Sequence, residues 1–317
     1  MKIKEPVSNC LIGKKRRLVI KSWAKINWFL QIGPLREDGY HEIKTIMQKI
    51  SYGDQIEITF SSGRERDLIT CHNYPIPTNQ DSLFGKCLQE MRQNYPWLNG
   101  YSLWINLEKR VPPGSGLGGG SSNIGSILRA INSLFKKINQ EGILKVASRL
   151  GSDVPFFSLD YPFGLVGGKG EKITPLFYPP REELVIVHPP FSVDTRWAYQ
   201  AWDERKKEKE VNFKREEQLE IYLKSGGRGD IKSLIHNDFE NLVFGRYPVL
   251  ADLKKELERS GCEPVFMSGS GSSLVGIASD QEKAWGIVEH FRRRGLRARF
   301  CFTINSSLPP FLEKEGF

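Results

Sequence analysis

A glycine-rich segment that leads directly into a helix-forming pattern constrains the fold of this chain more than any other feature. Residues 113–122 read PGSGLGGGSS, and five of the ten are glycine. Glycine adopts positive φ without steric cost and lets the backbone approach a ligand closely. Apolar residues then recur at helical spacing and define one face of a helix, at Ile124, Ile127, Leu128, Ile131 and Leu134. A glycine loop that feeds a helix N-terminus is typical of a phosphate-binding site.

Three other interpretations of this loop were weighed against phosphate binding. No Lys-Ser/Thr pair follows the last glycine, so the segment is not a Walker A loop. Gly114, Gly116 and Gly119 satisfy the dinucleotide pattern GxGxxG, which should follow its strand directly, whereas residues 109–113 intervene here. A flexible loop without a ligand is the plain alternative. The glycine density and the helix start favour phosphate binding, and the two closing serines can cap the helix or contact a phosphate or its metal ion.

The formal net charge of +9 over 317 residues suits anionic small molecules and nucleic acid alike. The charge is spread along the chain, because the densest run, residues 203–217, holds six acids and six bases and sums to zero. The basic tetrad at 14–17 precedes a strand, as a solvated lead-in does. Zinc-finger spacing and an aromatic–basic groove are both missing, so we expect no nucleic-acid partner.

Cysteine and histidine usage argues against a metal or disulfide framework. Five cysteines stand without a CxxC pair and are expected to be free thiols, at Cys10, Cys71, Cys87, Cys262 and Cys301. None of the five histidines has a zinc-enzyme spacing such as HExxH. No window approaches the roughly 18 apolar residues that span a bilayer, and residues 1–21 lack the apolar core of a signal peptide. We therefore expect a cytoplasmic protein without a membrane partner.

Chain length and patterning predict two domains that mix helices and strands. Single cores stop growing near ~250–300 residues, and we place the boundary near residue 178, giving domains 18–178 and 179–317. The pattern predicts strands at 18–32, 41–50, 55–60, 101–107 and 184–188, and helices at 81–95, 140–150 and 280–294. Residues 1–16 are read as a loose leader, and residues 201–230 as an exposed, charged helical excursion.

Candidate reacting groups flank the glycine loop in the sequence. Lys25 and Asn27 lie two apart on a predicted strand and therefore share one face. A lysine there can neutralise a phosphate or assist removal of a hydroxyl proton, or it can be a solvated lysine on an edge strand. Asp153 follows the helix-ending Gly151 and is either a proton acceptor or a turn aspartate bonded to its own backbone. The sequence leaves both pairs of alternatives open.

Two further segments are candidates for ligand contacts. Tyr40 and His41 follow the Asp38-Gly39 turn and have the chemistry to stack on a base and bond to its edge, although a single histidine is more often structural. The second glycine motif, residues 267–273 with sequence MSGSGSS, either closes over a ligand or forms a tight turn between strands.

The order of these segments resembles the GHMP kinase superfamily. AKIN at 24–27, DGYH at 38–41, the loop at 112–122, LGSDVP at 150–155 and MSGSG at 267–271 follow one another, and the Asn-Asp pair at 237–238 also fits. Within the superfamily this pattern is similar to the branch that phosphorylates 4-diphosphocytidyl-2-C-methyl-D-erythritol. The likeness extends from about residue 18 to 278. The AKIN and DGYH segments separate this branch from mevalonate, homoserine and galactose kinases.

The resemblance implies an α+β fold of two domains with the active site in the cleft between them. The first domain would resemble domain 2 of ribosomal protein S5, and the second would be ferredoxin-like. The implied reaction is ATP- and Mg²⁺-dependent phosphorylation of the 2-hydroxyl of the erythritol moiety, a step of the non-mevalonate route to isoprenoids. The expected partners are these small molecules, with the protein acting as a monomer or homodimer.

The resemblance also implies residue roles. Asp153 would be the catalytic base, with Lys25 stabilising charge beside it. Asn27, Tyr40, His41, Thr195 and Tyr199 would bind the substrate, together with Gly269, Ser270 and Gly271 of the second glycine motif. The ATP-binding set is predicted to comprise Lys109, Pro112, Pro113, Gly114, Ser115, Gly116, Leu117, Gly118, Gly119, Gly120, Ser121 and Ser122, and Ser122 is also assigned to Mg²⁺.

The sequence departs from the branch pattern at three positions. Met47 stands where an aromatic residue often helps to hold the cytosine, Ser82 replaces an asparagine, and Ser270 replaces a threonine. Four functions are therefore compared: the cytidyl-substrate kinase, a GHMP kinase with a mevalonate- or homoserine-like acceptor, a dinucleotide-binding oxidoreductase and a basic nucleic-acid binder. The combined motifs favour the first.

Overall fold

The structure of the protein, a computed structural model, describes residues 15–63, 65–205, 213–306 and 312–315. Cys10, nearly all of the predicted leader and much of the charged run at 203–217 lie outside the described residues. The other cysteines, Cys71, Cys87, Cys262 and Cys301, are free thiols as predicted.

The described residues form strands and helices in the following order. The strands are β1 (Arg16–Leu35), β2 (His41–Ser62), β3 (Leu68–His72), β4 (Tyr101–Glu108), β5 (Phe163–Gly167), β6 (Lys172–Pro175), β7 (Glu183–His188), β8 (His236–Asn237), β9 (Val265–Met267), β10 (Leu274–Ala278), β11 (Arg297–Phe302) and β12 (Leu312–Glu315). The helices are α1 (Leu83–Asn94), α2 (Gly119–Phe135), α3 (Gln140–Leu150), α4 (Val154–Phe157), α5 (Thr195–Glu204), α6 (Phe213–Lys224), α7 (Glu240–Arg246), α8 (Pro248–Arg259) and α9 (Gln281–Arg293).

The first sheet is built around the long antiparallel pair β1 and β2. Its strand order is β12-β1-β2-β4-β3, with β5 pairing on β2 and the short β8 pairing parallel to β1. The two extended segments predicted at 41–50 and 55–60 are one continuous strand. The register of the β1–β2 pairing shifts between Trp23 and Lys25. A bulge in β2 therefore takes the place of the expected break.

Helices α1, α2 and α3 cover one face of this sheet. The predicted apolar face of α2 is buried, with Ile124, Ile127, Leu128 and Ile131 at most 1% exposed. These side chains pack among Ile56, Ile58 and Ile105 of the sheet. Burial of each such side chain contributes roughly 1.5–3 kcal/mol relative to exposure, so α2 is fixed against the sheet by its apolar face and its N-terminus is held in place.

The second sheet is antiparallel, in the order β11-β7-β10-β9. Helices α8 and α9 pack on it through Leu253, Leu257, Ile287 and Phe291. The segment of the second glycine motif connects β9 to β10, which pair antiparallel. That motif is therefore a hairpin loop, which matches the predicted alternative of a tight turn between strands.

The two sheets share a hydrophobic core instead of meeting at a thin interface. Ala24, Ile26 and Trp28 of β1 cluster with residues of the second sheet, and the rings of Trp28 and Phe266 are 5.5 Å apart. The chain also returns to the first sheet through β8 and β12. The boundary near residue 178 falls between β6 and β7 and stays a prediction, since packing is continuous across it.

Candidate active site

The glycine loop alternates left-handed glycines with ordinary residues. Gly114, Gly116 and Gly118 have φ of 65°, 78° and 68°. Gly118 is the N-cap residue of α2, and its carbonyl accepts the first helical hydrogen bond from Ser122 N at 2.8 Å. The amide groups at the start of α2 therefore lie at the end of the loop with the positive end of the helix dipole behind them, which is the arrangement that binds phosphate.

The two glycine motifs lie against each other across the cleft. A Cβ atom at Gly116 would be 2.1 Å from the carbonyl oxygen of Ser268, so only glycine fits there. Ser273 N donates to Ser115 O at 3.1 Å, and Ser268 Oγ donates to Gly116 O at 3.2 Å. Backbone contacts between the two domains thus fix the position of the phosphate loop.

The short strand β8 holds the second glycine motif in place. The amide Nδ2 of Asn237 donates to Met267 O at 2.9 Å and to Gly269 O at 2.8 Å. Glu240 Oε2 accepts from Met267 N at 2.9 Å. The Asn-Asp pair noticed in the sequence therefore includes a residue that positions the hairpin loop, although the sequence alone suggested no role for it.

Lys25 lies at the centre of the site and is buried. Its side chain is 4% exposed, so it is not a solvated lysine on an edge strand. Nζ donates to Asn27 Oδ1 at 2.5 Å, and Asn27 Nδ2 donates to Thr45 Oγ1 at 2.8 Å, which places Lys25 and Asn27 on one face. Burial lowers the pKa of the Lys25 ammonium, and the nearby Asp153 carboxylate opposes that shift.

Asp153 faces Lys25, with 3.7 Å between Oδ2 and Nζ. It occupies the N-cap position of α4, yet its side chain makes no capping hydrogen bond. The alternative of a turn aspartate bonded to its own backbone therefore does not match the geometry. Its side chain is 26% exposed, so the carboxylate is open to the cleft while α4 is packed against α2.

A buried ion pair lies behind the phosphate loop. Lys109 Nζ donates to Asp54 Oδ2, and both side chains are at most 3% exposed. Asp54 Oδ1 accepts from Arg110 N at 2.7 Å and from Val111 N at 2.8 Å, and Oδ2 also accepts from Asn123 Nδ2 at 2.8 Å. This carboxylate joins β2, the start of the loop and α2.

The hydroxyl of Ser122 is used inside the protein. It donates to Trp23 O at 2.5 Å and lies 2.8 Å from Ser22 Oγ, and the residue is 1% exposed. In this geometry the hydroxyl ties α2 to β1. The assignment of Ser122 to Mg²⁺ therefore stays a prediction that would need the side chain to turn. Ser115 Oγ, by contrast, is buried and makes no hydrogen bond within the described residues.

The predicted cytidine-binding residues separate into two groups. His41 stacks on Tyr199 with ring centroids 5.5 Å apart and 13° between planes, and its Nδ1 is 3.0 Å from Gly33 O. Its Nε2 lies 3.0 Å from Asp203 Oδ1, an ion-pair distance without hydrogen-bond alignment. Burial, together with the charge of Asp153, raises the pKa of Tyr199 to about 12. The stack therefore lies close to the proposed base.

Tyr40 and Thr195 make contacts outside this stack. The Tyr40 ring is 53% exposed and carries the ammonium of Lys169 at 4.7 Å from its centroid. Thr195 Oγ1 is 2.8 Å from Ser270 Oγ, which joins the start of α5 to the second glycine motif. The structure thus brings Thr195 of α5 against the loop that contains Ser270 and Gly271.

Two departures from the branch pattern have structural uses. Met47 is 2% exposed and packs with Phe156, Phe157 and Val166 under α4, so it is a core residue in this structure. Ser82 is the N-cap of α1, where its hydroxyl accepts from Gly85 N at 3.1 Å. Neither position is a free contact for a nucleotide base.

Comparison with known proteins now identifies the family. Residues 82–161 match the family described as GHMP kinases N terminal domain, and residues 219–295 match GHMP kinases C terminal. A protein of Syntrophotalea carbinolica named 4-diphosphocytidyl-2-C-methyl-D-erythritol kinase is 32% identical over 285 residues, covering 87% of this chain and 95% of its own. One of the same name from Methylacidiphilum infernorum is 38% identical over 264 residues, covering 82% and 85%. The chain belongs to the 4-diphosphocytidyl-2-C-methyl-D-erythritol kinase family.

A solved structure of the same kinase supports the fold assignment. The crystal structure of 4-(cytidine 5'-diphospho)-2C-methyl-D-erythritol kinase has a TM-score of 0.70 at 27% identity, covering 90% of this chain and 99% of the other. The predicted α+β fold of two GHMP kinase domains is therefore confirmed. Within the part of the chain that the structure describes, no helix of this family member combines the length and apolarity needed to cross a membrane.

The sequence pattern assigned no role to three residues that help to build the site of this kinase. Asp54 organises the phosphate loop, Asn237 positions the hairpin loop, and Asp203 approaches His41. Asp54 is separated by 55 residues from Lys109 and by 69 from Asn123, so no local pattern connects it to them. Only Asn237 left a signal, through the Asn-Asp pair.

Proposed function

We propose that this kinase transfers the γ-phosphoryl group of ATP to the 2-hydroxyl of 4-diphosphocytidyl-2-C-methyl-D-erythritol, a step of the non-mevalonate route to isoprenoids. The observation that carries the proposal is the buried Lys25, bonded to Asn27 and 3.7 Å from Asp153, beside a glycine loop whose helix offers free amide groups. The names of the relatives supply the acceptor.

The chemistry divides between the two ends of the cleft. Asp153 accepts the proton of the attacking hydroxyl, the hydroxyl oxygen bonds to the γ-phosphorus, and the bond from that phosphorus to the β–γ bridging oxygen breaks to release ADP. Lys25 holds positive charge next to the carboxylate and the developing phosphate charge. The loop amide groups hold the triphosphate, and the unpartnered Ser115 hydroxyl is available to donate to it.

The residues present fit a Mg²⁺ ion held mainly by the nucleotide. No group of three His, Cys, Asp or Glu side chains within the described ranges is arranged to ligate a metal ion. Mg²⁺ is commonly bound by one or two carboxylates together with substrate phosphates. Asp153 is open to the cleft, whereas the predicted Ser122 hydroxyl would have to leave Trp23 O to become a ligand. Bound there, the ion would neutralise phosphate charge.

The acceptor end of the cleft suits a stacked base. His41 and Tyr199 form a platform of two parallel rings whose edge carries a ring nitrogen close to the Asp203 carboxylate. Aromatic platforms of this kind stabilise a bound base by roughly 1–3 kcal/mol per stacked base. Tyr199 is partly buried and feels the charge of Asp153, so a cytidine held here would place the rest of the substrate within reach of the base.

The proposal is tested by measuring ADP release with ATP, Mg²⁺ and each of three acceptors. We expect turnover with the cytidyl substrate and none above background with mevalonate or homoserine. Turnover with mevalonate or homoserine alone would keep the kinase chemistry and reject the cytidine assignment. Asp153→Asn serves as the control for each acceptor, because turnover that survives it does not come from this site.

A further inference from the structure

A second, strongly basic cavity lies between the two domains. Its volume is about 440 Å³, within the range of small-molecule pockets. Its charged and aromatic lining comes from β1, β2, β11 and the segments that follow β3 and β4. It includes Lys21, Tyr52, Tyr74, Arg110, Arg297 and Arg299.

The cavity lies on the face of the first sheet opposite the phosphate loop. Ile20 packs in the core beneath the helices, and Ser22 contacts Ser122 of α2. Lys21 lies between them on β1, so its side chain points to the other face. The cavity shares Lys109 with the predicted ATP-binding set, and that ammonium is committed to Asp54.

Most of the positive charge here is not neutralised. Arg110 pairs with Glu108 at 3.0 Å. Lys21, Arg297 and Arg299 form no ion pair with any acid of the described ranges; Arg297 instead donates to Tyr74 Oη at 2.7 Å. Burial and the Arg110 charge lower the pKa of the Lys21 ammonium, and the Asp54 and Glu108 carboxylates oppose that shift. The cations of the cavity outnumber the carboxylates beside them, and such an excess of like charge favours an anionic ligand.

We propose that this cavity binds a diphosphate group, free or as the ester of a small organic molecule, separately from the ATP phosphates. A phosphate monoester carries about −1.5 to −2 charges at neutral pH, so two linked phosphates match the three unpaired cations. Arginine forks bind phosphate oxygens in pairs, and the volume leaves room beside Tyr52 and Tyr74 for an organic portion.

The cavity is also connected to the phosphate loop. Tyr52 Oη donates to Arg110 O, and the amide groups of Arg110 and Val111 both donate to Asp54 Oδ1. A ligand that draws Arg110 into the cavity therefore acts on the backbone that enters the loop. Occupancy is expected to change the KM for ATP, whereas the binding itself does not depend on catalysis.

The test is calorimetric titration with inorganic pyrophosphate and, separately, methyl diphosphate. The full chain is first saturated with a non-hydrolysable ATP analogue in metal-free buffer, so that the phosphate loop is occupied. We expect binding that weakens with salt, and a Kd about tenfold or more higher in the double variant R297A/R299A, because two charge-assisted contacts are lost. The matched control is R293A, an exposed arginine on α9 outside the cavity.

The outcomes separate the possibilities. Binding of methyl diphosphate but not pyrophosphate would assign the cavity to an organic diphosphate, and the reverse would assign it to the free ion. No binding of either ligand, or equal weakening by R293A, would overturn the proposal. A loss of analogue binding in R297A/R299A would make the cavity part of the nucleotide site and would also overturn it. Because the readout is direct binding, failure here leaves the proposed kinase reaction untouched.

Discussion

Replacing Asp54 by asparagine should test whether the buried pair behind the loop holds the nucleotide site together. The introduced asparagine would keep one carbonyl oxygen for the amide groups of Arg110 and Val111. Its Nδ2 would replace Oδ2 and would face the Lys109 ammonium and the Asn123 amide, which are both donors. The substitution therefore removes the negative charge and places a third hydrogen-bond donor against two existing donors, while the shape of the side chain is nearly unchanged.

The expected loss of stability follows from burial. Asp54 is 0% and Lys109 3% exposed, so the ammonium would be left without a counter-charge away from water. Removing one partner of a buried pair costs about 3–5 kcal/mol. An unfolding entropy of about 2.1 cal/mol/K per residue gives about 0.67 kcal/mol/K for this chain. D54N should therefore lower the Tm by about 4–8 °C.

Differential scanning calorimetry of four proteins measures this effect: wild type, D54N, K109M and the double variant D54N/K109M. The double variant should be more stable than D54N, because it no longer buries an unpaired ammonium. The KM for ATP should rise in D54N, since a Cβ at Gly119 would lie 2.9 Å from Lys109 Nζ and the pair therefore supports the start of α2.

The control is D160N, which breaks the Arg129–Asp160 pair. The Asp160 side chain is 76% exposed, and such pairs contribute about 0–1 kcal/mol. A D54N protein that melts within the range of D160N would refute the reasoning. So would a double variant that is no more stable than D54N, because the cost would then not come from the stranded ammonium.

Three further predictions concern the reacting groups and the core. D153N should lower kcat by about 10²–10⁴-fold while an ATP analogue still binds, as fluorescence titration would show; unchanged turnover would reject the base assignment. H41A should raise the KM for the cytidyl substrate more than that for ATP in steady-state assays, and equal increases would contradict the stack. Burial and the charges of Arg299 and Arg297 lower the pKa of His188 from 6.5 to about 3. The folded state therefore binds fewer protons, so the His188 contribution to stability should be complete above the unfolded pKa of about 6.5 and should be lost as the pH drops toward 3. H188N should flatten this dependence of Tm on pH in thermal melts. An unaltered dependence would mean that another group causes it.

The sequence predicted those parts of the site that local periodicity controls. Alternation along β1 placed Lys25 and Asn27 on one face, because side chains on a strand alternate whatever the strand packs against. Glycine density located the loop that leads into α2, since positive φ at Gly116 and Gly118 excludes most other residues. Helix α3 begins and ends where the pattern placed it, at Asn139 and Gly151 as caps.

The remaining features depend on contacts between distant parts of the chain. The break expected between residues 50 and 55 is absent because β2 bulges there and keeps its pairing with β1 on both sides, which the local pattern of β2 does not reveal. The shared core was also not foreseen, because Ala24, Ile26 and Trp28 of β1 cluster with Phe266, which lies over two hundred residues later in the chain. Register and long-range pairing are tertiary properties, so a local reading reaches them only by analogy.

The residues proposed for phosphoryl transfer are positioned by backbone contacts, whereas those proposed for substrate recognition are positioned by side-chain contacts. Around Lys25 the positions are set by backbone: Lys25 N donates to Leu117 O at 3.0 Å, and Gly116 contacts the backbone of the opposite loop so closely that no side chain intervenes. At the acceptor end, His41 at the start of β2 meets Tyr199 and Asp203 of α5 through side chains. A substitution at the acceptor end can change a ring or a charge without moving the backbone that aligns Lys25 and Asp153. Substrate preference is therefore expected to vary by point changes in this group, whereas a change at Gly116 would disturb phosphoryl transfer with any acceptor.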